Sequence, residues 1–123
     1  MTPDIPRYFI DPSKVPSFKP MDGVETSVLT GLDGGNMMMV LTTVHPGYAV
    51  PAHAHPHEQM GQVQAGKAMM IIGDQTRTVQ KGDFCYFPPN VEHSAECVGE
   101  EPFIMLDIFH PIREDFAVAV KNQ

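Results

Sequence analysis

The sequence predicts an all-β domain of about ten short strands, arranged as a closed barrel or a jelly roll. Twelve prolines and ten glycines divide the 123 residues into short segments. Segments rich in Val, Ile, Thr, Phe and Met between such residues are typical of strands. No stretch shows both the caps and the 3.6-residue periodicity of a helix. The length suits one domain with one hydrophobic core.

Residues 1–22 predict an extended arm. Prolines occur at positions 3, 6, 12, 16 and 20, and a central strand is excluded because proline has no N–H to donate. We expect the arm to run over the surface with Tyr8, Phe9 and Phe18 as apolar anchors. It can pack on its own barrel or on a neighbouring subunit, and the second alternative predicts a homodimer. The barrel domain is then expected to span residues 23–123.

The barrel domain divides into nine predicted strands separated by turns. The second of them contains MMMVLTTV, which is almost wholly apolar or Thr and therefore predicts a well-buried strand. The segment after residue 109 is compatible with an edge strand or a short helix. The predicted strands span 24–30, 36–45, 50–55, 58–64, 68–72, 76–80, 84–87, 92–98 and 103–109.

The composition restricts the classes of partner. Lys and Arg number 8 against 15 Asp and Glu, which gives a net charge of −7. Nucleic-acid binding needs a basic surface, so we expect a small-molecule substrate and no nucleic acid. The apolar runs are too short to span a membrane, and the N-terminus lacks the pattern of a secretory signal. Cys85 and Cys97 have no framework spacing, so we expect free thiols in the cytoplasm.

The stretch GYAVPAHAHPHEQMGQVQAG, residues 47–66, contains a candidate metal site. Side chains alternate along a strand, so His53 and His55 are expected to point to the same side. His93 is the obvious third imidazole, because it follows a turn in a second strand-turn-strand segment. Gln59 completes the predicted set of ligands for one divalent metal ion.

Two neighbouring residues leave this ligand set open. Glu58 is a rival of Gln59, and His57 is either a turn residue or a further metal contact. Imidazole suits zinc, nickel, copper and iron, whereas carboxylate favours manganese and magnesium. We expect one divalent ion, Zn, Ni, Fe or Mn, and the sequence does not choose among them. Three imidazoles and a neutral amide leave the charge of the ion uncompensated. That favours Lewis-acid chemistry such as isomerisation, hydration or ring opening over oxygen chemistry.

A second candidate stretch, LDIFHPIRED, spans residues 106–115. Strand alternation places Asp107 and Phe109 on one face. Asp107 interrupts an apolar run, and a buried carboxylate is costly without a partner, so it is a candidate for proton transfer near the metal. Arg113 could bind a substrate carboxylate with two hydrogen bonds. The alternatives are an Asp107 that pairs with Arg113 or a backbone amide, a surface or dimer salt bridge for Arg113, and core packing for Phe109.

These residues resemble the two motifs of the cupin superfamily, which implies a double-stranded β-helix (jelly-roll) barrel. The first motif, G-x5-HxH-x3-4-E-x6-G, corresponds to Gly47, His53, His55, Gln59 and Gly66, with Gln in place of Glu. The second motif, G-x5-PxG-x2-H-x3-N, corresponds to Gly82, Pro88, Asn90, His93 and Cys97, with two departures. Asn90 in place of Gly is a mild departure, because Asn tolerates a left-handed turn.

Within cupins, HPHEQ at 55–59 and LDIFHPIREDF at 106–116 most resemble the KdgF-like proteins that linearise unsaturated uronates. That resemblance implies a divalent metal held by His53, His55, Gln59 and His93. It also implies catalytic roles for Asp107, Phe109 and Arg113. One alternative is a metal-dependent dioxygenase of a small diketone or phenolic substrate, which the many methionines would admit by keeping the interior apolar. The other alternative is a cupin that binds a small molecule without catalysis.

Overall fold

The structure, a computed structural model, describes residues 8–122. Prolines 3 and 6 of the predicted arm lie outside the described residues. This part of the chain contains ten strands and one helix longer than a single turn, besides a 3-10 helix at Pro12–Lys14. The strands are β1 (Ser17–Met21), β2 (Val24–Val28), β3 (Met38–Val44), β4 (Ala49–His53), β5 (Glu58–Ala65), β6 (Lys67–Ile72), β7 (Gln75–Gln80), β8 (Phe84–Phe87), β9 (His93–Val98) and β10 (Phe103–His110), and the helix is α1 (Glu114–Lys121).

The strands form two antiparallel sheets, consistent with the predicted jelly roll. One sheet has six strands in the order β1-β2-β3-β10-β5-β8, and the other has four in the order β4-β9-β6-β7. Non-consecutive neighbours such as β3 and β10 are joined by long crossovers, as in a jelly roll. Backbone pairing does not close the two sheets into one barrel, so β1 and β8 are edges of the first sheet and β4 and β7 are edges of the second.

Strand β10 runs through the middle of the six-stranded sheet and carries the predicted alternation of faces. It pairs with β3 on one side and β5 on the other. Asp107 and Phe109, predicted to share a face, are 4% and 3% exposed, as are Phe103 and Met105 at 1% and 3%, and the residues between these four are half-buried. Because one face of this strand is inside, a carboxylate at position 107 is necessarily buried between the two sheets.

The N-terminal segment contributes an edge strand to the larger sheet. Strand β1 pairs only with β2, and Pro20 lies within it, which is where a strand tolerates proline. Phe18 packs edge-on against Phe116 of α1, with ring centroids 5.3 Å apart. Tyr8 and Phe9 are 79% and 76% exposed, so these two rings are not buried against the chain's own sheets. A boundary at 22/23 and packing of the arm on a second subunit stay predictions.

Proline also occurs in the edge strand of the other sheet. Pro51 lies in β4, and both β1 and β4 line the cavity between the sheets. A proline cannot donate to a backbone ladder, so Pro20 and Pro51 prevent these two edges from pairing along their full length. The two edges that carry these prolines belong to different sheets, and both line the cavity.

Two turn residues of the predicted motifs adopt left-handed backbone conformations. Gly66 joins β5 to β6 with φ +74°, and a Cβ there would lie 2.3 Å from the carbonyl oxygen of Pro102. Asn90 precedes β9 with φ +65°, and it is the only non-glycine with positive φ within residues 8–122. Asn is among the few residues that adopt this region readily, so its replacement of a motif Gly preserves the turn.

The tail forms a helix, which resolves the alternative between edge strand and helix. α1 has acidic residues in its first turn and no side-chain cap at its N-terminus. Its Phe116 contacts Phe18 and Phe109, so packing rather than local sequence holds this two-turn helix. Neither helix in the described part of the chain has the length and apolar character needed to cross a membrane. Cys85 and Cys97 are free thiols, as expected.

Candidate metal centre

Three imidazoles lie together at the end of the cavity where β4 ends and β9 begins. His53 closes β4 and stands opposite His93, the first residue of β9. His55 lies two residues beyond β4, so it approaches the others from a loop rather than from the predicted strand. One ring nitrogen from each of the three lies within 4.8 Å of the other two. The sequence correctly predicted their proximity, although the predicted strand was two residues too long.

The backbone fixes which nitrogen of each ring faces the cluster. The Nδ1 atom of each histidine lies at hydrogen-bond distance from a carbonyl oxygen, and since a carbonyl only accepts, Nδ1 carries the hydrogen. The Nε2 atoms of the neutral rings are then left with free lone pairs. The accepting residues are Pro51 for His53 at 2.8 Å, His57 for His55 at 3.2 Å and Val91 for His93 at 3.0 Å.

The contacts of these Nε2 atoms fit a bound cation. The Nε2 atom of His93 is buried and has no hydrogen-bond partner. The Nε2 atom of His55 lies 2.9 Å from Oε1 of Gln59. Each ring nitrogen of His55 therefore lies close to a carbonyl oxygen, one from the backbone of His57 and one from the side chain of Gln59. A neutral imidazole has only one N–H, so it can donate to only one of these two oxygens. A positive charge between Nε2 and Oε1 satisfies both atoms, and a divalent metal ion supplies it.

Burial favours the neutral form, which metal binding requires, for two of these imidazoles, those of His55 and His93. Burial lowers the pKa of His93 to about 4, and the neighbouring His53 and His55 lower it further against the hydrogen bond to Val91. The pKa of His55 is also lowered, first by burial and then by the positive charge of Arg113. A proton is therefore a poor occupant of this cluster at neutral pH, whereas a metal ion needs no protonation of the rings.

Asp107 is connected to the cluster through Gln59. The Nε2 atom of Gln59 donates to Oδ1 of Asp107 at 3.0 Å, and the hydroxyl of Thr42 donates to Oδ2 at 2.9 Å. Burial raises the pKa of Asp107 to about 6, against the two hydrogen bonds, which lower it. The hydrogen-bond partners of Asp107 are therefore Gln59 and Thr42, and not Arg113 or a backbone amide, the two alternatives considered above. With a pKa of about 6, its carboxyl group can gain or lose a proton near neutral pH.

Arg113 lies at the same cavity but is already held by an acidic partner. Its Nε and one Nη donate to the two carboxylate oxygens of Asp115 at 3.0 and 2.8 Å. Its guanidinium carbon lies 4.0 Å from the ring centroid of Phe116 and 5.0 Å from that of Phe109. Asp115 occupies one edge of the planar guanidinium, so the edge formed by the two terminal nitrogens is the one that can bind a carboxylate.

Of the two residues that left the ligand set open, Glu58 lies away from the three imidazoles, whereas His57 packs beside His55 without joining the group of three nitrogens. Glu58 is on the outer face of β5, where its carboxylate accepts a hydrogen bond from the hydroxyl of Tyr86. His57 has its ring centroid 5.3 Å from that of His55, and its Nδ1 is buried without a hydrogen-bond partner. Gln59 therefore faces the cluster, and Glu58 does not.

A cavity of about 280 Å³ extends from the imidazoles into the space between the sheets. The polar end contains His53, His93, Gln59 and Asp107, with Arg113 at the same wall. The remaining wall is mostly apolar and includes Val24, Val44, Met70, Phe103 and Met105. A ligand with a polar, metal-binding group at one end and a less polar remainder matches this distribution.

Sequence reasoning missed three contributors to this site. Thr42 was read only as part of a buried strand, and Asp115 only as part of the tail. Gly61 lies opposite Asp107 on the neighbouring strand, and a Cβ there would lie 2.8 Å from Oδ1 of Asp107. A glycine in the middle of a strand is a sequence signal for such a close approach. No sequence signal identified the partners of Thr42 and Asp115, because both contacts depend on tertiary packing.

Comparison with known proteins identifies the family. The family model described as "Cupin domain" matches residues 40–109, more than half of the chain. This chain belongs to the cupin superfamily. The matched segment of the cupin includes the three imidazoles, Gln59 and Asp107, but it ends before Arg113.

Several known proteins are similar to this cupin. An H2HPP isomerase from Bacillus subtilis is 35% identical over 75 residues, which are 60% of this chain but only 32% of that protein, so this cupin spans about a third of its length. An RmlC-like cupin from Shewanella frigidimarina matches with a TM-score of 0.78 and 26% identity, over 90% of this chain and 96% of that one. KdgF from Halomonas sp. also matches with a TM-score of 0.78, and the match covers 87% of this chain and 97% of that one. The two sequences are 22% identical, so the likeness is one of fold.

Proposed function

We propose that this cupin is a metal-dependent enzyme that opens and isomerises an unsaturated uronate. One divalent ion, Zn, Ni, Fe or Mn, would be held by His53, His55, Gln59 and His93. The observation that carries the proposal is the hydrogen bond from Gln59 to Asp107, which joins a neutral metal ligand to a buried carboxyl group with a pKa of about 6. This pairing suits a reaction that moves protons and leaves the oxidation state unchanged.

The ligand set supports Lewis-acid chemistry. A divalent ion held by three neutral imidazoles and an amide would keep its full charge and would supply Lewis-acid polarisation of a hydroxyl or carbonyl oxygen of the substrate. No anionic side chain is among these four, and the carboxylate of Asp107 contacts the amide nitrogen of Gln59. Asp107 is therefore available to the substrate as a proton carrier.

The proposed reaction needs one group that both takes and returns a proton. Ring opening transfers the proton of the C1 hydroxyl to the ring oxygen as the bond between C1 and that oxygen breaks, which leaves an aldehyde at C1 and an enol. Return of a proton to C4 and loss of the enol proton then give a ketone, with no net oxidation. A carboxyl group titrating near pH 6 can perform such transfers, and Asp107 lines the cavity.

Arg113 would bind the carboxylate of the uronate. The edge formed by its terminal nitrogens is the one that Asp115 leaves open, and its side chain is only 11% exposed. An ion pair in such a partly desolvated position is stronger than one in water. Phe109 contacts both His55, at a centroid distance of 5.6 Å, and the guanidinium of Arg113, so it would orient the substrate between metal and cation.

Two of the similar proteins support a redox-neutral reaction. The Bacillus subtilis relative is an isomerase by its name, and it is the most similar in sequence of the three described above. The Halomonas protein carries the name KdgF, which the closing segment of this sequence also resembles. Both likenesses favour isomerisation over oxygen consumption for this cupin.

The proposal is tested by assaying the metal-loaded protein on a 4,5-unsaturated uronate and following the loss of its ultraviolet absorbance. We expect turnover by the wild type and about 100-fold or more lower kcat for Asp107→Asn, because proton transfer is lost. Arg113→Lys should raise KM, because a lysine cannot form the paired hydrogen bonds. Arg77→Lys, an exposed arginine on β7, is the matched control and should match the wild type.

A metal-loaded wild type that leaves every unsaturated uronate unchanged would contradict this substrate class. A second candidate is then a metal-dependent dioxygenase of a small diketone or phenolic substrate. The mostly apolar wall of the cavity, including Val44, Phe103 and Met105, favours it. Oxygen consumption with such substrates by the iron- or copper-loaded protein would support the second candidate. Metal binding with neither activity would leave a cupin that binds a small molecule without catalysis.

We also propose that the chain forms a homodimer in the cytoplasm. The outer face of β5 and β8 carries Met60, Phe84 and Tyr86, which are 48%, 77% and 50% exposed. Clustered apolar side chains on one sheet face are typical of protein interfaces. Light scattering during size-exclusion chromatography should give twice the mass of one chain, and the mass of one chain at all concentrations would contradict the dimer.

A further inference from the structure

A glutamine side chain presents a particular difficulty as a metal ligand. Its amide oxygen and nitrogen have nearly the same shape, but only the oxygen can bind a cation, and the NH2 group repels one. Rotation of the amide by half a turn would place the nitrogen of Gln59 toward the imidazoles. Something beyond the shape of the pocket must therefore select the orientation with Oε1 toward His55.

Asp107 has the chemistry to make this selection. An ionised carboxylate accepts hydrogen bonds and donates none, so it favours the NH2 side of a neighbouring amide. Its Oδ1 lies 3.0 Å from Nε2 of Gln59, on the side of the amide away from the imidazoles. The amide oxygen then lies 2.9 Å from Nε2 of His55. The reversed amide would face a carboxylate oxygen with its own oxygen, which is repulsive.

Asp107 is itself held in place by its neighbours. It is 4% exposed, and Thr42 donates a hydrogen bond to the carboxylate oxygen that Gln59 does not use. Gly61 stands opposite Asp107 in the register of β5 and β10. A Cβ at Gly61 would lie 2.8 Å from Oδ1 of Asp107 and 3.1 Å from the backbone oxygen of Leu106, so the missing side chain leaves room for the carboxylate.

We propose that Asp107 and Thr42 are positioning residues that lock the amide of Gln59 with its oxygen toward the imidazoles, and that Gly61 provides the space for this lock. The inference rests on the proposed metal site and deepens it. It assigns Asp107 a second task, preparation of the metal ligand, beside proton transfer to the substrate. It predicts that the affinity for metal depends on Asp107 through Gln59 rather than through charge alone.

A double-mutant cycle distinguishes an effect of Asp107 through the amide of Gln59 from a direct effect of its charge on the metal. The affinity for Ni²⁺ is measured by competition with a chromophoric chelator for the wild type, Asp107→Asn, Gln59→Ala and the double variant. We expect Asp107→Asn to weaken binding about 10-fold, since partners of metal ligands typically contribute 10–100-fold. The same substitution should have little effect in the Gln59→Ala background, where no amide needs to be oriented. An equal loss in both backgrounds would mean that Asp107 acts by its charge, and would overturn the inference.

A second background removes the need for orientation in another way. In Gln59→Glu both terminal atoms of residue 59 are oxygens, so no orientation has to be selected. Asp107→Asn should then weaken Ni²⁺ binding much less than it does in the wild type, because only the charge of Asp107 is lost. The absorption spectrum of bound Co²⁺ serves as an independent measure of the ligand geometry. A loss of affinity in this background, like that in the wild type, would again overturn the inference.

Thr42 is tested by a matched set of substitutions. Thr42→Val keeps the shape but removes the hydroxyl, so it should weaken Ni²⁺ binding, whereas Thr42→Ser should restore it. Thr43→Val, on the opposite face of β3, is the control and should bind like the wild type. Equal affinities for Thr42→Val and Thr42→Ser would remove Thr42 from the inference. Melting of each metal-free variant identifies any that fails to fold.

The outcome also distinguishes this inference from the metal site on which it rests. A wild type that binds none of Zn²⁺, Ni²⁺, Fe²⁺ or Mn²⁺ would refute both. Suppose instead that the wild type binds metal and that Asp107→Asn lowers the Ni²⁺ affinity equally with Gln59 and with Gln59→Ala. That result would refute only the inference that Asp107 orients the amide, and the metal site itself would stand.

Discussion

The His93→Ala variant is expected to lose its divalent metal, while the wild type binds about one ion per chain. His93 contributes a buried Nε2 with no hydrogen-bond partner, and its Nδ1 is held by the carbonyl of Val91. Removal of this nitrogen leaves two imidazoles and an amide. The affinity should fall by more than the roughly 100-fold that loss of an outer partner can cause. Elemental analysis after reconstitution and dialysis measures the bound metal directly.

A matched histidine outside the cluster provides the control. His45 contacts Glu25 at 3.3 Å and takes no part in the imidazole cluster, so His45→Ala should retain the metal. Thermal unfolding gives a second readout. A ligand present at about 100 times its Kd stabilises the native state by about 2.7 kcal/mol. Metal should therefore raise the Tm of the wild type and of His45→Ala but not that of His93→Ala. Stoichiometric metal in His93→Ala would contradict the assigned site.

In the metal-free protein, His93→Ala and Asp107→Asn are expected to change the pH dependence of stability in opposite directions. Burial lowers the pKa of His93 from 6.5 to about 4. Between these values the unfolded chain binds a proton that the folded chain does not, so this histidine makes stability fall as the pH falls. Over the whole window the effect is about 3 kcal/mol.

Asp107 contributes to the pH dependence of stability with the opposite sign. Burial raises its pKa from 3.8 to about 6, so between these values the folded chain holds a proton that the unfolded chain has lost. This carboxyl group therefore makes stability fall as the pH rises, again by about 3 kcal/mol over its window. The two contributions largely offset each other in the wild type between pH 4 and 6. Each single variant removes one of them and reveals the other.

Urea unfolding in the presence of a chelator measures this effect. Relative to the wild type, Asp107→Asn should lose stability more steeply on acidification from pH 6.5 to 4, and His93→Ala should lose less or become more stable. The double variant should return to a profile parallel to that of the wild type, because both contributions are gone. Profiles of both single variants that run parallel to the wild type would show that neither group titrates differently on folding.

Strand alternation was sufficient to place several residues of the site. The alternation of faces along FIMLDIF placed Asp107 and Phe109 on one shared face, and the structure shows that this face of β10 is the inner one. The spacing of the histidines and the turn before His93 also predicted a shared cluster. The alternation of faces is a local feature, and the histidine motif has a spacing that corresponds to one particular path of the backbone. Both can therefore be recognised in a single sequence.

Other features depended on contacts that no local pattern encodes. His55 leaves the strand and approaches from a loop, because β4 ends at His53. The short helix α1 has no side-chain cap, so its sequence signal was weak and packing of Phe116 decides its conformation. Arg113 was expected to be available to a substrate, but its charge is shared with Asp115. That pairing depends on the direction in which the tail turns after β10.

The prolines in the two edge strands have a consequence for the solution behaviour of the protein. An unpaired strand edge is a template on which another chain can add a strand, and such addition leads to aggregation or domain swapping. Strand β1 has only five residues and includes Lys19 beside Pro20, and β4 is equally short and includes Pro51. A charged side chain and a missing N–H both oppose strand addition. The prolines that line the cavity at these edges thus also oppose polymerisation through them.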